Sequence, residues 1–173
     1  MASALRHRVA IGAAAGAIAW AAMDGSLRYM YDRHPGRVRR QERDARRGVP
    51  ALEVLADRIC AAAGARLTAD GRRTAGRVVQ WTVGIGAGVL FAVIRERMPA
   101  SGIRRGLSYG LMVSLVVDEG LTPPSGLSPG PAAYPWQTHA RGLVGHLVYG
   151  AVAEAVIAAF DPERAHATAN QRI

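Results

Sequence analysis

The sequence predicts an all-α integral membrane bundle of about four short transmembrane helices, with one amphipathic helix in the first loop. Three observations predict it. The chain has uncharged apolar runs over residues 9–23 and 78–94, and a third apolar helix over 136–160. Ala supplies much of the apolar half of the composition and Gly adds 20 residues, so helices can approach closely. Pro123, Pro124, Pro129, Pro131 and Pro135 then interrupt the chain ahead of the last helix, because proline removes a backbone donor and clashes with a helix interior.

The elements follow in order. The first span covers residues 8–31. Its start also fits a signal peptide, with Arg6 and Arg8 as a basic leader and Ala19-Trp20-Ala21 as a cleavage-like site. The later apolar runs favour a retained helix. A basic loop covers 32–74, and its densest part holds Arg33, Arg37, Arg39, Arg40, Arg43, Arg46 and Arg47. Within that loop, Leu52, Leu55, Ile59, Ala63 and Leu67 recur at spacings of three and four, which predicts an amphipathic helix packed on the bundle. Thr68 caps the next helix, with Asp70 in its first turn. The second span is 75–97. The third, 103–121, is short for the roughly 20 residues a bilayer requires, and charges stand at both ends. A Pro-rich loop over 120–135 leads to the fourth span, 136–160, and a polar tail follows over 161–173. Tyr134 and Trp136 suit a membrane interface.

The formal charge is +9, and every basic residue is Arg. The guanidinium keeps its charge and forks onto phosphate or carboxylate. Anionic lipid at Arg33 to Arg47 is therefore the first partner expected beyond the bilayer itself. Nucleic acid is a poorer fit, because no aromatic residues interleave to stack on bases. The mean hydropathy of +0.06 keeps a soluble bundle in competition, although the Arg-rich loop dilutes the spans. The single cysteine, Cys60, excludes a disulfide within the chain and a CxxC metal site.

Gly-x-x-x-Gly pairs occur at Gly12 and Gly16, Gly84 and Gly88, and Gly106 and Gly110. Each forms a flat groove on one helix face, suited to packing within one chain or to a homo-oligomer. The Gly84-x-Gly86-x-Gly88 cluster is no dinucleotide fingerprint, since no strand precedes it. On an ideal helix His139, His146, Gly150 and Glu154 fall within about one quadrant. Polar groups at membrane depth face the bundle interior and often mark proton or ion routes. Asp24, Asp118 and Glu119 are the carboxylates available to meet them. The alternative is an interhelical hydrogen bond with no further role. His139 and His146 leave one helix on the same side and cannot ligate both faces of a haem. No third metal ligand has convincing spacing, and no GxSxG occurs. No cofactor, metal or catalytic residue is expected, and a non-enzymatic protein is.

The order Asp118-Glu119, Gly126-Leu127-Ser128-Pro129, Tyr134-Pro135-Trp136, His139 and Gly145-His146-Leu147-Val148-Tyr149-Gly150 resembles the YagU-like family of bacterial inner-membrane proteins. The resemblance covers residues 77–154 best, and the Arg-rich loop departs from the family pattern. It implies a multi-pass inner-membrane protein of a family with no assigned molecular function, associated with acid tolerance. A non-enzymatic membrane protein with a structural or stress-response role is the first expectation. A small proton or solute pathway through the His and carboxylate residues is the second expectation. A membrane-anchored module binding lipid or nucleic acid through its Arg-rich loop is the third.

Overall fold

The computed structural model describes residues 2–46 and 49–160, so Arg47 and the tail expected over 161–173 lie outside the described residues. Among the described residues the chain is helical with no strand. The helices are α1 (Ala2–Arg33), α2 (Gly36–Ala45), α3 (Ala51–Ala62), α4 (Ala69–Ile94), α5 (Ile103–Val113) and α6 (Trp136–Ala159). Three segments are long and apolar enough to cross a membrane: Ser3–Arg33, Ala69–Arg97 and Trp136–Ala159. The segment 103–121 does not meet that measure. It is an 11-residue α-helix that continues into π-turns over Ser114–Leu121, and it carries Arg104, Arg105, Asp118 and Glu119.

Glycine decides how these helices meet. α1 packs antiparallel on α4, with Gly12 and Gly16 against Gly88 and Gly84; a Cβ on Gly12 would stand 2.8 Å from Ala92 Cβ and from the Val89 backbone. α5 packs antiparallel on α6, where Gly106 meets Gly150 and Gly110 meets the His146 carbonyl. α1 also packs on α6, with Leu27 seated against Gly145. All three Gly-x-x-x-Gly pairs are thus used within the chain. With little side chain between them, the backbones close to van der Waals contact. The core is correspondingly small-residue: Ala15, Ala19, Ala92 and Ala153 are buried with Met23, Phe91, Tyr109, Tyr149 and Ile157.

The Arg-rich stretch is a helix rather than the expected loop. Val38 and Glu42, four residues apart and so on one face, are its buried residues. Arg37, Arg40 and Arg43 are exposed. The amphipathic helix, which the periodicity carries through Leu67, is shorter than expected. It stops at Ala62 because Gly64 turns the backbone left-handed, at φ 78°. It packs on α4, where the Glu53 side chain covers Gly76. Thr68 caps α4 by accepting from the Gly71 amide at 3.1 Å. The Pro-rich stretch is helical as far as Leu121 and then holds turns and one 3-10 turn, Pro131–Ala133. Arg58 fastens it to α3 by donating to the Ser125 and Gly126 carbonyls at 2.7 and 2.9 Å.

Two ends result. Arg8 of α1 meets Glu96 at 2.7 Å at one end. The arginine-rich end gathers α2, α3, the Pro-rich loop and the start of α6.

Candidate functional site

The stripe on α6 is the seam against α5. His139 Nδ1 lies 2.7 Å from Glu119 Oε1, and His146 Nε2 lies 2.8 Å from Asp118 Oδ2. Further along, Gly150 sits against Gly106. At the far end Glu154 accepts from Arg95 at 3.1 Å and from Arg105 at 3.4 Å. The same helix face therefore meets α5 by charge pair, by glycine contact and by charge pair again. The π-turns, with the Thr122 amide bonded back to the Val117 carbonyl at 2.9 Å, are where Asp118 and Glu119 reach α6. π-turns are rare and are frequent at functional sites.

Each candidate residue has a definite place. Asp118, Glu119, His139 and His146 line one cavity. Glu154 does not; it is 2% exposed, on the other side of the core, between two arginines. Asp24 pairs locally with Arg28 on α1 at 2.7 Å and meets neither His nor Glu154.

His139 has acceptors on both ring nitrogens, since Nε2 lies 3.0 Å from the Pro131 carbonyl. A neutral imidazole can donate from one nitrogen alone. Both contacts are hydrogen bonds when the ring carries two protons beside ionised Glu119. His146 is bonded through Nε2 alone among the described contacts. A neutral His139 ring beside ionised Glu119 can keep only one of its two contacts, to Glu119 or to the Pro131 carbonyl.

A third cluster was not legible beforehand. Glu42 of α2 is 1% exposed and accepts from Arg141 of α6 at 2.6 Å, from Thr138 at 3.0 Å and from Arg46. Arg141 also reaches His34 Nδ1 at 3.2 Å, which makes that nitrogen the acceptor. Burial alone would raise the Glu42 pKa. The Arg141 hydrogen bond and the charges of Arg46 and Arg141 outweigh it and hold the carboxyl below its ordinary value. A carboxylate with a depressed folded pKa contributes stability that is complete above the unfolded pKa and is lost as pH falls through the folded one. The α2 tether should accordingly survive mild acid and release only below the usual carboxylate range. Glu42→Gln should release it at every pH, with α2 amides exchanging about tenfold faster or more, as expected for a lost charged hydrogen bond. Hydrogen-exchange mass spectrometry reads this, and unchanged α2 protection in the variant would refute the tether.

The cavity has a volume of about 770 Å³, within the range of small-molecule sites. Apolar side chains such as Trp20, Leu27, Val83, Val113 and Val117 form most of its wall. Its polar part includes Glu42, Asp118, Glu119, His139, Arg141 and His146, with Arg28 and Arg46 at the arginine-rich end. Its inner limit is a layer of aromatic residues tied to α4. Tyr109 stacks on Phe91 at 4.5 Å and donates to the Ala87 carbonyl at 2.8 Å, and Tyr149 donates to the Gly84 carbonyl at 2.6 Å. Beyond that layer Ala92, Ala153 and Ile157 are buried, and none of them lines the cavity. Among the described residues no group of three His, Cys, Asp or Glu converges as a metal-ligand set. Cys60 is a free thiol on α3, partly exposed.

No protein-family model, no curated protein and no solved structure matches the chain.

Proposed function

We propose that this chain is a non-enzymatic, four-span protein of a bacterial inner membrane that holds a small apolar or amphipathic ligand in its one-ended cavity. The carrying observation is the cavity itself: apolar walls, two His–carboxylate pairs on its polar side, and Tyr109 and Tyr149 bonded to the α4 backbone beneath it. A proton or solute route across the membrane would have to pass these tyrosines and the Gly106–Gly150 contact. Binding from one end is therefore favoured over conduction. A role in acid tolerance, implied by the resemblance to the YagU-like family, agrees with a site whose polar groups include imidazole and carboxylate.

The fourth span is 103–121. Its charges tell against membrane insertion by composition, yet Arg105, Asp118 and Glu119 all pair with α6. Pairing removes most of the cost of carrying charge at the bilayer edge. The arginine-rich end is cytoplasmic by the positive-inside rule, and the exposed Arg37, Arg40 and Arg43 of α2 face anionic head groups there. Cys60 lies at that end, so a membrane-impermeant maleimide should label it in opened cells and spare it in intact ones. Equal labelling in intact cells would invert the topology.

Proteoliposomes test the function. A neutral solvatochromic dye such as Nile red should bind saturably. Its affinity should fall several-fold in a His139→Gln, His146→Gln variant, which removes the two His–carboxylate pairs from the cavity wall. A trapped pH dye should show no leak above empty vesicles. A missing saturable site, or a proton flux, would sink this reading.

A further inference from the structure

The cavity is bounded on one side by two helices that pack on others rather than on each other. α4 lies on α1 and α3, and α5 lies on α6. Between α4 and α5, Tyr109 makes the bridging contacts to Phe91 and Ala87. The two helices present apolar lips to the gap: Val83 and, level with Tyr109, Leu90 on one, and Val113 and Val117 on the other. Val83, Leu90 and Val117 are 47%, 52% and 39% exposed, and all four line the cavity. The α4 lip belongs to a segment long and apolar enough to cross a membrane, and on the membrane reading proposed above the gap faces lipid.

We propose that this gap seats one acyl chain of an anionic phospholipid drawn from the surrounding bilayer, with its phosphate held at the cavity's arginine-rich end. This deepens the ligand-binding reading and rests on it. The chain class follows from the lips, which offer aliphatic side chains at membrane depth. The head-group class follows from charge. Arg28 and Arg46 line the same cavity, and their side chains are 76% and 38% exposed. Each spends part of its fork on a carboxylate, Asp24 or Glu42. A guanidinium has five N–H donors, so both keep donors for phosphate oxygens. Arginines also outnumber carboxylates over residues 28–77, which favours an anionic over a zwitterionic head.

The test is native mass spectrometry of the full chain released from detergent, titrated with phosphatidylglycerol or phosphatidylcholine. One phosphatidylglycerol should be retained at a concentration roughly tenfold lower than phosphatidylcholine requires, or lower still. Val113→Trp, which narrows the gap, should abolish retention, and Val117→Trp should do the same from the outer lip. Unchanged helical circular dichroism would show that both variants fold. Arg28→Gln with Arg46→Gln should bring the two lipids to equal retention while the chain still binds. Equal retention of both lipids by the native chain would overturn the inference, as would retention unchanged in both tryptophan variants. A dimer that protects Leu90 and Val117 from solvent would also overturn it, by placing a second copy in the gap. Saturable Nile red binding with no lipid preference would leave the cavity reading standing and remove this deepening of it. Loss of Nile red binding would remove both.

Discussion

Valine at position 150 is expected to detach α5 from α6. A Cβ there overlaps the Gly106 carbonyl and stands 3.0 Å from the Gly110 amide nitrogen, so it meets backbone on both sides. Backbone has no alternative rotamer, and the helices must separate. Overpacking of a tight core costs about 1–3 kcal/mol, occasionally more. Here separation also strains the Glu119–His139, Asp118–His146 and Arg105–Glu154 pairs that close the same seam. Gly150→Val should therefore lower the detergent unfolding midpoint strongly and remove saturable dye binding together. Gly86→Val is the control. A Cβ at Gly86 meets nothing within 4 Å, so this change should leave the midpoint nearly unchanged. Equal behaviour of the two variants would show that glycine contact is not what holds α5.

The second large effect is expected at Glu154. Its carboxylate is 2% exposed and is shared by Arg95 and Arg105, which are themselves 8% and 17% exposed. The three residues join the end of α4, the start of α5 and α6. Removing one member of a buried charge cluster costs about 3–5 kcal/mol, because charge left in a dry site loses its compensation. Glu154→Ala should cost that much in equilibrium unfolding and loosen α5 at its first turn. Glu96→Ala removes a pair of similar length, Arg8–Glu96 at 2.7 Å, between side chains 45% and 58% exposed. Water already solvates that pair, so the change should cost no more than about 1 kcal/mol. A Glu154→Ala variant as stable as Glu96→Ala would mean the cluster carries no net stability. Because Glu154 lies outside the cavity, dye affinity in the fraction that remains folded should hold.

Much of this fold is written locally. The apolar runs of α1 and α4, the Thr68 cap and the prolines before Trp136 act over one or two turns, and the helices begin and end close to where those signals stand. The glycine spacings mark helix faces for the same reason, since residues four apart share a face. The stripe of His139, His146, Gly150 and Glu154 is likewise a property of one helix.

What the stripe meets is not local. Asp118 and Glu119 reach the histidines because α5 runs antiparallel to α6 in a register set by Gly106 on Gly150, and π-turns carry the chain past Ser114. Glu154 finds two arginines from different helices, and no spacing in the sequence announces either. The helix α2 stayed hidden because its buried face is Val38 and Glu42, one aliphatic residue and one carboxylate amid arginines. Glu42 is a tolerable buried residue once Arg141 arrives from 99 positions away. The cavity has the same origin: it is the space left when α4 follows α1 and α5 follows α6. Periodicity along the chain determines which residues share a face. Which faces meet, and so which charges are paired and which space stays open, is decided by contacts between distant segments.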